Sequence, residues 1–316
     1  FFGSKMIERK YFEVKIFFWH RSIVLILIFT VFSRGSLLGL SILLVFTSFK
    51  LSFIKVPWWC LSCLAAVIAG LIEGILNAQG IIVIAAYSGL LFGSLTLRLV
   101  WLRRVAVCMF GAVSLVLAMH LLPGFHNYAV VLEQTISIDA IPFSLYANFD
   151  KGLVGLFVLV YFFRGQASAD YFQVLQKPIT VLLIFFLTPC LVLGLAMLLR
   201  LIHIDVKVPV FWLCFLSINL FFTCVAEEAF FRGFLQQELS KVLHGKSYLF
   251  IVPIISALLF GIAHIGGGFE YAFVASAAGL GYGILFHITK RIEWSILCHF
   301  VLNFLHFFLF TFPMLA

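Results

Sequence analysis

The sequence predicts an all-α fold, a polytopic transmembrane helix bundle of about 10–11 spans. Three observations carry that expectation. The 316 residues are 64% hydrophobic and only 11% charged, where a soluble domain carries about 25% charged residues. Apolar runs of membrane-crossing length recur along the chain, near 17–33, 36–49, 57–75, 81–97, 105–122, 152–163, 178–199, 209–231, 247–264, 271–286 and 294–315. The basic residues between those runs fall unevenly on the two sides that an alternating path defines.

The runs set the elements in order. Several, the first, second and sixth among them, are shorter than the ~20 residues a straight spanning helix needs. The run after Arg21 lacks a small-residue cleavage site, which favours a retained span over a removed signal peptide. With the N-terminus cytoplasmic, one side holds Lys5, Arg9, Lys10, Lys15, Arg21, Lys50, Lys55, Arg98, Arg103, Arg104, Arg164, Lys177, Lys241, Lys246, Lys290 and Arg291. The other side holds only Arg34, Lys151, Arg200 and Lys207. That bias predicts a cytoplasmic N-terminus and an opposite C-terminus. It also accounts for the net charge of +8 without nucleic acid, because the basic residues are scattered over short loops rather than gathered on one element. The bilayer is the expected partner, and a bacterial inner membrane the expected location. All seven Cys lie inside apolar segments and read as packing residues.

Residues 123–151, opening Pro123-Gly124, form the longest segment between spans and divide the chain. Residues 1–150 read as an accessory transmembrane region and 151–316 as the functional bundle. The division follows the ionisable residues at membrane depth, which are costly to bury and are usually retained for function. Glu73, beside Asn77 and Gln79, and His120 sit at span ends and read as interfacial.

The eighth run is different. It carries Asn219, Thr223, Glu227, Glu228, Arg232 and Gln236. Helical spacing puts Asn219, Thr223 and Glu227 on one stripe and Glu228, Arg232 and Gln236 on a neighbouring one. Glu228 can pair with Arg232 at i,i+4. Glu227 has no cation in its own stripe, so desolvation and the adjacent charge are expected to favour its protonated form and tune it for general-base work near neutral pH. A plainer reading makes the pair a marker of the helix end, with Arg232 snorkelling to the interface.

Two further helices favour chemistry. The ninth run ends Phe260-Gly261-Ile262-Ala263-His264 and meets Gly266-Gly267-Gly268, while the eleventh carries His299 and Asn303 at i,i+4, followed by His306. His306 and His287 read as satisfied core histidines. An antiparallel pairing of the eighth and ninth helices brings Glu227 and His264 to one height if the ninth stops at mid-membrane. Residues 265–270 are then expected to line a polar cavity, where irregular backbone is tolerated, opening toward the cytoplasmic side.

Glu227-Glu228-x-x-x-Arg232, Phe260-x-x-x-His264 and His299-x-x-x-Asn303, in this order on successive apolar helices, resemble the three motifs of the CAAX protease and bacteriocin-processing family, also called the Abi family. Type II CAAX prenyl endopeptidases are its best-known members, and the resemblance covers about 209–316. It implies an intramembrane endopeptidase acting on membrane-associated or lipid-anchored peptides. Glu227 with His264 would activate a water, and His299 and Asn303 would stabilise the oxyanion. Glu228 and Arg232 would support Glu227, and Phe260 would pack behind His264. The resemblance implies no cofactor in this form. A zinc-dependent form would ligate the metal through Glu227, His264 and His299, but the His-Glu-x-x-His helix that would make zinc compelling is missing.

Other classes fit less well. A serine intramembrane protease would need Gly-x-Ser at membrane depth, and Gly245-Lys246-Ser247 lies in a basic hairpin. Paired intramembrane aspartates are absent, because Asp139, Asp150, Asp170 and Asp205 fall in loops or at span ends. Gly279-x-x-x-Gly283 reads as a close helix-packing face. A proton- or ion-coupled transporter would be expected to show inverted repeats, which are not seen. An inert scaffold or immunity protein is the remaining alternative.

Overall fold

The computed structural model describes residues 58–165, 178–243 and 248–316, together with Ile42. The expected spans at 17–33 and 36–49, and Gly245-Lys246-Ser247, lie outside the described residues. The chain divides after Ile68 into two compact units; the description below concerns the second, residues 69–316. Helix α1, Trp58–Ile72, crosses the division.

Asn77 starts α2, Ala78–Thr96, its side-chain oxygen accepting the backbone N–H groups of Gln79 and Gly80. Helix α3, Val100–Ala118, packs beside α2, and Tyr87 joins the two through a 2.7 Å bond between its hydroxyl and that of Ser114. Gly80 and Gly124 meet backbone to backbone, and a Cβ on Gly80 would occupy the Gly124 carbonyl. Gly124 also has φ +96°, a region L side chains avoid.

The 123–151 segment is not plain loop. It contains a two-stranded antiparallel sheet, β1 Tyr128–Gln134 and β2 Phe143–Ala147, paired from Tyr128↔Ala147 to Gln134↔Phe143. The alternation in Phe143-Ser144-Leu145-Tyr146-Ala147 and the Val130-Val131 step were the signals for it. The bundle is therefore helical with one small sheet beside it.

Strand β2 runs into α4, Phe149–Gly165. Every residue from Gly152 to Phe163 is buried, the expected fate of a helix that is apolar all round. Helix α5, Pro178–Leu198, follows. Helix α6, Trp212–Val242, is one 31-residue rod, about 46 Å long. It runs past the end of the expected 209–231 span because Arg232, Gln236 and Glu238 find partners inside the protein instead of breaking the helix. Helices α7, Tyr248–Ala263, and α8, Phe269–Thr289, form an antiparallel hairpin through a tight 3-10 turn, Ile265–Gly267. Helix α9, Ile292–Leu309, ends earlier than the expected 294–315 span. Beyond it Phe310 bridges to Ile204, and Leu315 to Ala140.

Among the described residues, six helices are long and apolar enough to cross a membrane: α2, α3, α5, α6, α8 and α9. The chain is an integral, multi-pass membrane protein.

Candidate active site

The site grows from an irregular stretch of α6. The helix winds as wide π turns over Asn219–Cys224 and Ala229–Gln236, with one α turn, Val225–Glu228, between them. Such windings are uncommon and concentrate at functional positions. They change which side chains meet. Cys224 Sγ lies 3.2 Å from Asn219 Oδ1, five residues back, so the stripe expected from 3.6-residue spacing does not hold across this turn.

Glu228 and Arg232 pair as expected. Both side chains are fully buried, with Arg232 Nε 3.1 Å from Glu228 Oε2. The guanidinium also donates to the Gly279 carbonyl at 2.7 Å, and its carbon lies 4.9 Å from the Phe260 ring centre. One turn on, Gln236 donates to the Gly283 carbonyl at 2.9 Å. The two glycines of the expected packing face thus present their carbonyls to two buried polar side chains of α6. Arg232 does not snorkel.

Glu228 has a second partner. The Nδ1–H of His299, on α9, donates to its Oε1 at 2.9 Å. The His299 ring lies flat on Tyr282, with centroids 4.8 Å apart and planes 14° off parallel. These contacts fix the imidazole and turn Nε2 toward Glu227 Oε2, 4.0 Å away. His264 is held similarly at the C-terminus of α7. Its Nδ1–H donates to the Phe260 carbonyl at 2.8 Å, the two rings are 4.5 Å apart, and Nε2 lies 3.8 Å from the same Glu227 Oε2. Three helices bring one carboxylate oxygen and two imidazole nitrogens together. The site is reachable from outside, because the side chains of Glu227 and His264 are 13% and 24% exposed.

Glu227 does have a cation. Lys151, at the start of α4, places Nζ 2.7 Å from Glu227 Oε1. The expectation of an unpaired carboxylate therefore fails, and Lys151 is not a loop residue remote from the chemistry. No local pattern could have revealed this pair, which joins residues 76 positions apart. One backbone detail allows it. A Cβ on Gly155 would lie 3.2 Å from Ala226 Cα, so α4 and α6 nearly touch one turn from Lys151 and one residue from Glu227.

Asn303 lies on the same face of α9 as His299, yet its amide faces α6: Nδ2 donates to Asn219 Oδ1 at 3.3 Å and approaches Cys224 Sγ at 3.7 Å. His306 Nε2 meets the Thr311 carbonyl at 3.1 Å, the satisfied role expected of it. Residues 265–270 make a tight turn rather than a polar-lined loop, and Ile265 and Phe269 in it are exposed.

The donor set fits a metal poorly. Among the described residues, no group of three His, Cys, Asp or Glu is placed to hold an ion. Tetrahedral zinc with ligand bonds near 2.0–2.1 Å would bring its donor atoms to about 3.3 Å of one another. The observed separations are 3.8 and 4.0 Å, and the other oxygen of the carboxylate is already held by an ammonium group.

Residues 209–305 match a family model described as type II CAAX prenyl endopeptidase Rce1-like. This is the family that the three motifs resemble, and the matched stretch contains Glu227, Glu228, Arg232, Phe260, His264, His299 and Asn303. The segment that carries the site is thus similar to that family. No curated protein and no solved structure matches the chain.

Proposed function

We propose that the chain is an intramembrane endopeptidase that cleaves membrane-associated or lipid-anchored peptides with a water activated by Glu227 and His264. One observation carries the reading: Glu227 Oε2 is buried, has no hydrogen-bond partner among the described residues, and faces two imidazole nitrogens at 3.8 and 4.0 Å. Those distances are too long for direct hydrogen bonds and suit one water about 2.8 Å from each atom.

In this mechanism Glu227 Oε2 takes the proton as the water oxygen attacks the scissile carbonyl, with His264 Nε2 fixing the second water hydrogen. The carbonyl π pair becomes an oxyanion, which a protonated His299 stabilises through Nε2–H while Glu228 balances the imidazolium. Asn303 contributes the N–H now directed weakly at Cys224. Collapse of the intermediate expels the amine, which takes the proton from Glu227. Fixed donors aimed at developing charge commonly do more than any other single effect to speed acyl transfer. The zinc version is less well supported, given the donor spacing.

Residues 151–316 form the catalytic bundle in this reading, and 1–150 are accessory, with α2 and α3 packed against α4 and α6. Substrates arriving through the bilayer agree with the exposed apolar side chains Ile262 and Ile265, which flank His264 in the chain, and Phe269 and Phe273 at the start of α8. The expected opening toward the cytoplasm of a bacterial inner membrane does not agree with the pairing of Lys151 and Glu227, because the count that makes the N-terminus cytoplasmic puts Lys151 on the opposite side.

The test is a membrane-tethered peptide library presented to the purified protein in lipid. Cleavage by wild type should vanish in Glu227→Ala and His264→Ala and survive in His306→Ala. Equal behaviour of wild type and both site variants removes the proposal.

A further inference from the structure

We propose that Lys151 is a positioning residue, orienting Glu227 by holding one of its two oxygens, and that His120 and Asp150 hold Lys151 in turn. The proposal rests on the peptidase reading for its kinetic consequences, but not for the contacts themselves.

A glutamate carboxylate turns freely about its last bond, so either oxygen could face the imidazoles. Here the two oxygens are made unequal. Lys151 Nζ takes Oε1 at 2.7 Å, which leaves Oε2 alone in the gap between His264 and His299. The lysine comes from the first turn of α4, a position that frays unless its backbone groups are held.

Asp150 supplies that hold. Its Oδ1 accepts the Lys151 backbone N–H at 2.9 Å and the Asn127 side-chain amide at 3.0 Å, while Oδ2 takes His120 Nδ1 at 2.8 Å. Asn127 then accepts the Phe149 N–H at 2.9 Å, and Asn148 donates to His120 Nε2 at 3.1 Å. Asp150 is 1% exposed and commits its acceptors to this latch, so it does not compete for the Lys151 ammonium. His120 adopts φ +60°, a conformation uncommon for a non-glycine residue and kept here by bonds at both ring nitrogens. The latch joins the end of α3, the segment before β1 and the start of α4. A cap alone would need only one of these contacts.

The distribution of charge agrees. Each carboxylate of the site has its own cation, Lys151 for Glu227 and Arg232 for Glu228.

The experiment compares wild type, Lys151→Met, Lys151→Arg and His120→Ala, all full-length and in lipid. Cleavage of a peptide that wild type cuts is followed across pH. Lys151→Met should lower kcat about 100-fold, the usual scale for a misdirected group, with KM nearly unchanged, and should move the acid limb of the profile toward neutral pH. Lys151→Arg should restore most of kcat and the wild-type profile. His120→Ala should fall between. A Lys151→Met enzyme with wild-type kcat, or one slowed with an unmoved profile, overturns the proposal. Should wild type cut nothing, the peptidase reading fails separately, and the carboxylate infrared band lost in Glu227→Gln decides. A different titration of that band in Lys151→Met supports the positioning contact, and an identical one overturns it.

Discussion

Neutralising Arg232 should be among the most damaging single changes in the bundle, and the structure gives its scale. Arg232 and Glu228 are both fully buried, with 3.1 Å between Nε and Oε2. At the effective dielectric of about 20 that suits protein sites, two unit charges at that distance attract by about 5 kcal/mol. Arg232→Met removes this attraction and the bond to the Gly279 carbonyl, leaving the buried carboxylate with only its contact to His299, so a loss of about 3–5 kcal/mol is expected. Glu228→Gln should cost a similar amount for the opposite reason. The double variant removes both charges of the pair and keeps an amide oxygen near His299 Nδ1, so its cost should fall short of the summed single losses by about 2–3 kcal/mol. Far-UV circular dichroism during titration of mixed micelles with denaturing detergent measures all four proteins. Additive losses, or single variants within about 0.5 kcal/mol of wild type, would show that the pair is hydrated and would refute the reasoning.

Three further outcomes follow from the same structure. Gly155→Val should wedge α4 from α6, because even a Cβ there meets Ala226 Cα at 3.2 Å; cleavage should fall about tenfold or more, as misplacement of Lys151 implies, and wild-type turnover would contradict the close approach. Strong chelators should leave peptide cleavage intact, given donor separations of 3.8 and 4.0 Å; activity lost with chelator and regained with zinc, alongside stoichiometric zinc by mass spectrometry, would reverse that expectation. Asp205 lies between spans, and its carboxyl is held below the ordinary value of 3.8 chiefly by the Ser137 hydroxyl, aided by Lys207 against the opposing effect of burial. A depressed carboxylate adds stability above its unfolded pKa and loses it as pH falls through the folded one. Acid exposure below about pH 4 should therefore loosen the pairing of 203–207 with 308–311 by hydrogen exchange, and Asp205→Asn should be insensitive to acid there.

Composition and apolar run length were enough to read the helices, because in lipid the backbone must satisfy itself within each span. The ends of the runs were less legible. Helix α6 continues past Arg232 because that side chain is neutralised by Glu228 and by a carbonyl of α8, and nothing local encodes a partner 47 residues away. Helix α9 stops at Leu309 because Phe310–Ala316 pair with extended segments around 139–141 and 201–204, although the sequence stays apolar throughout. The sheet at 128–147 has only a short period-two signal, in a segment that the apolar run lengths mark simply as lying between spans.

The site separates legible from illegible in the same way. Glu228 with Arg232 could be read from i,i+4 spacing alone, whereas the convergence of Glu227, His264 and His299 was readable only because three motifs stood in order on three helices. Lys151 carried no motif. It looked like one basic residue on the sparsely charged side, and the same positive-inside count that oriented the spans set it apart from the chemistry. What brings it in is the sequence between: Gly155 and Ala226 let two helices nearly touch, and Asp150 turns its carboxylate away to His120 and Asn127. A lysine lying beside a span end is costly to draw into a bundle unless an anion waits there. Its pairing with Glu227 therefore says as much about the carboxylate as about the lysine: Glu227 presents a charge worth compensating, as the proposed mechanism requires of its base.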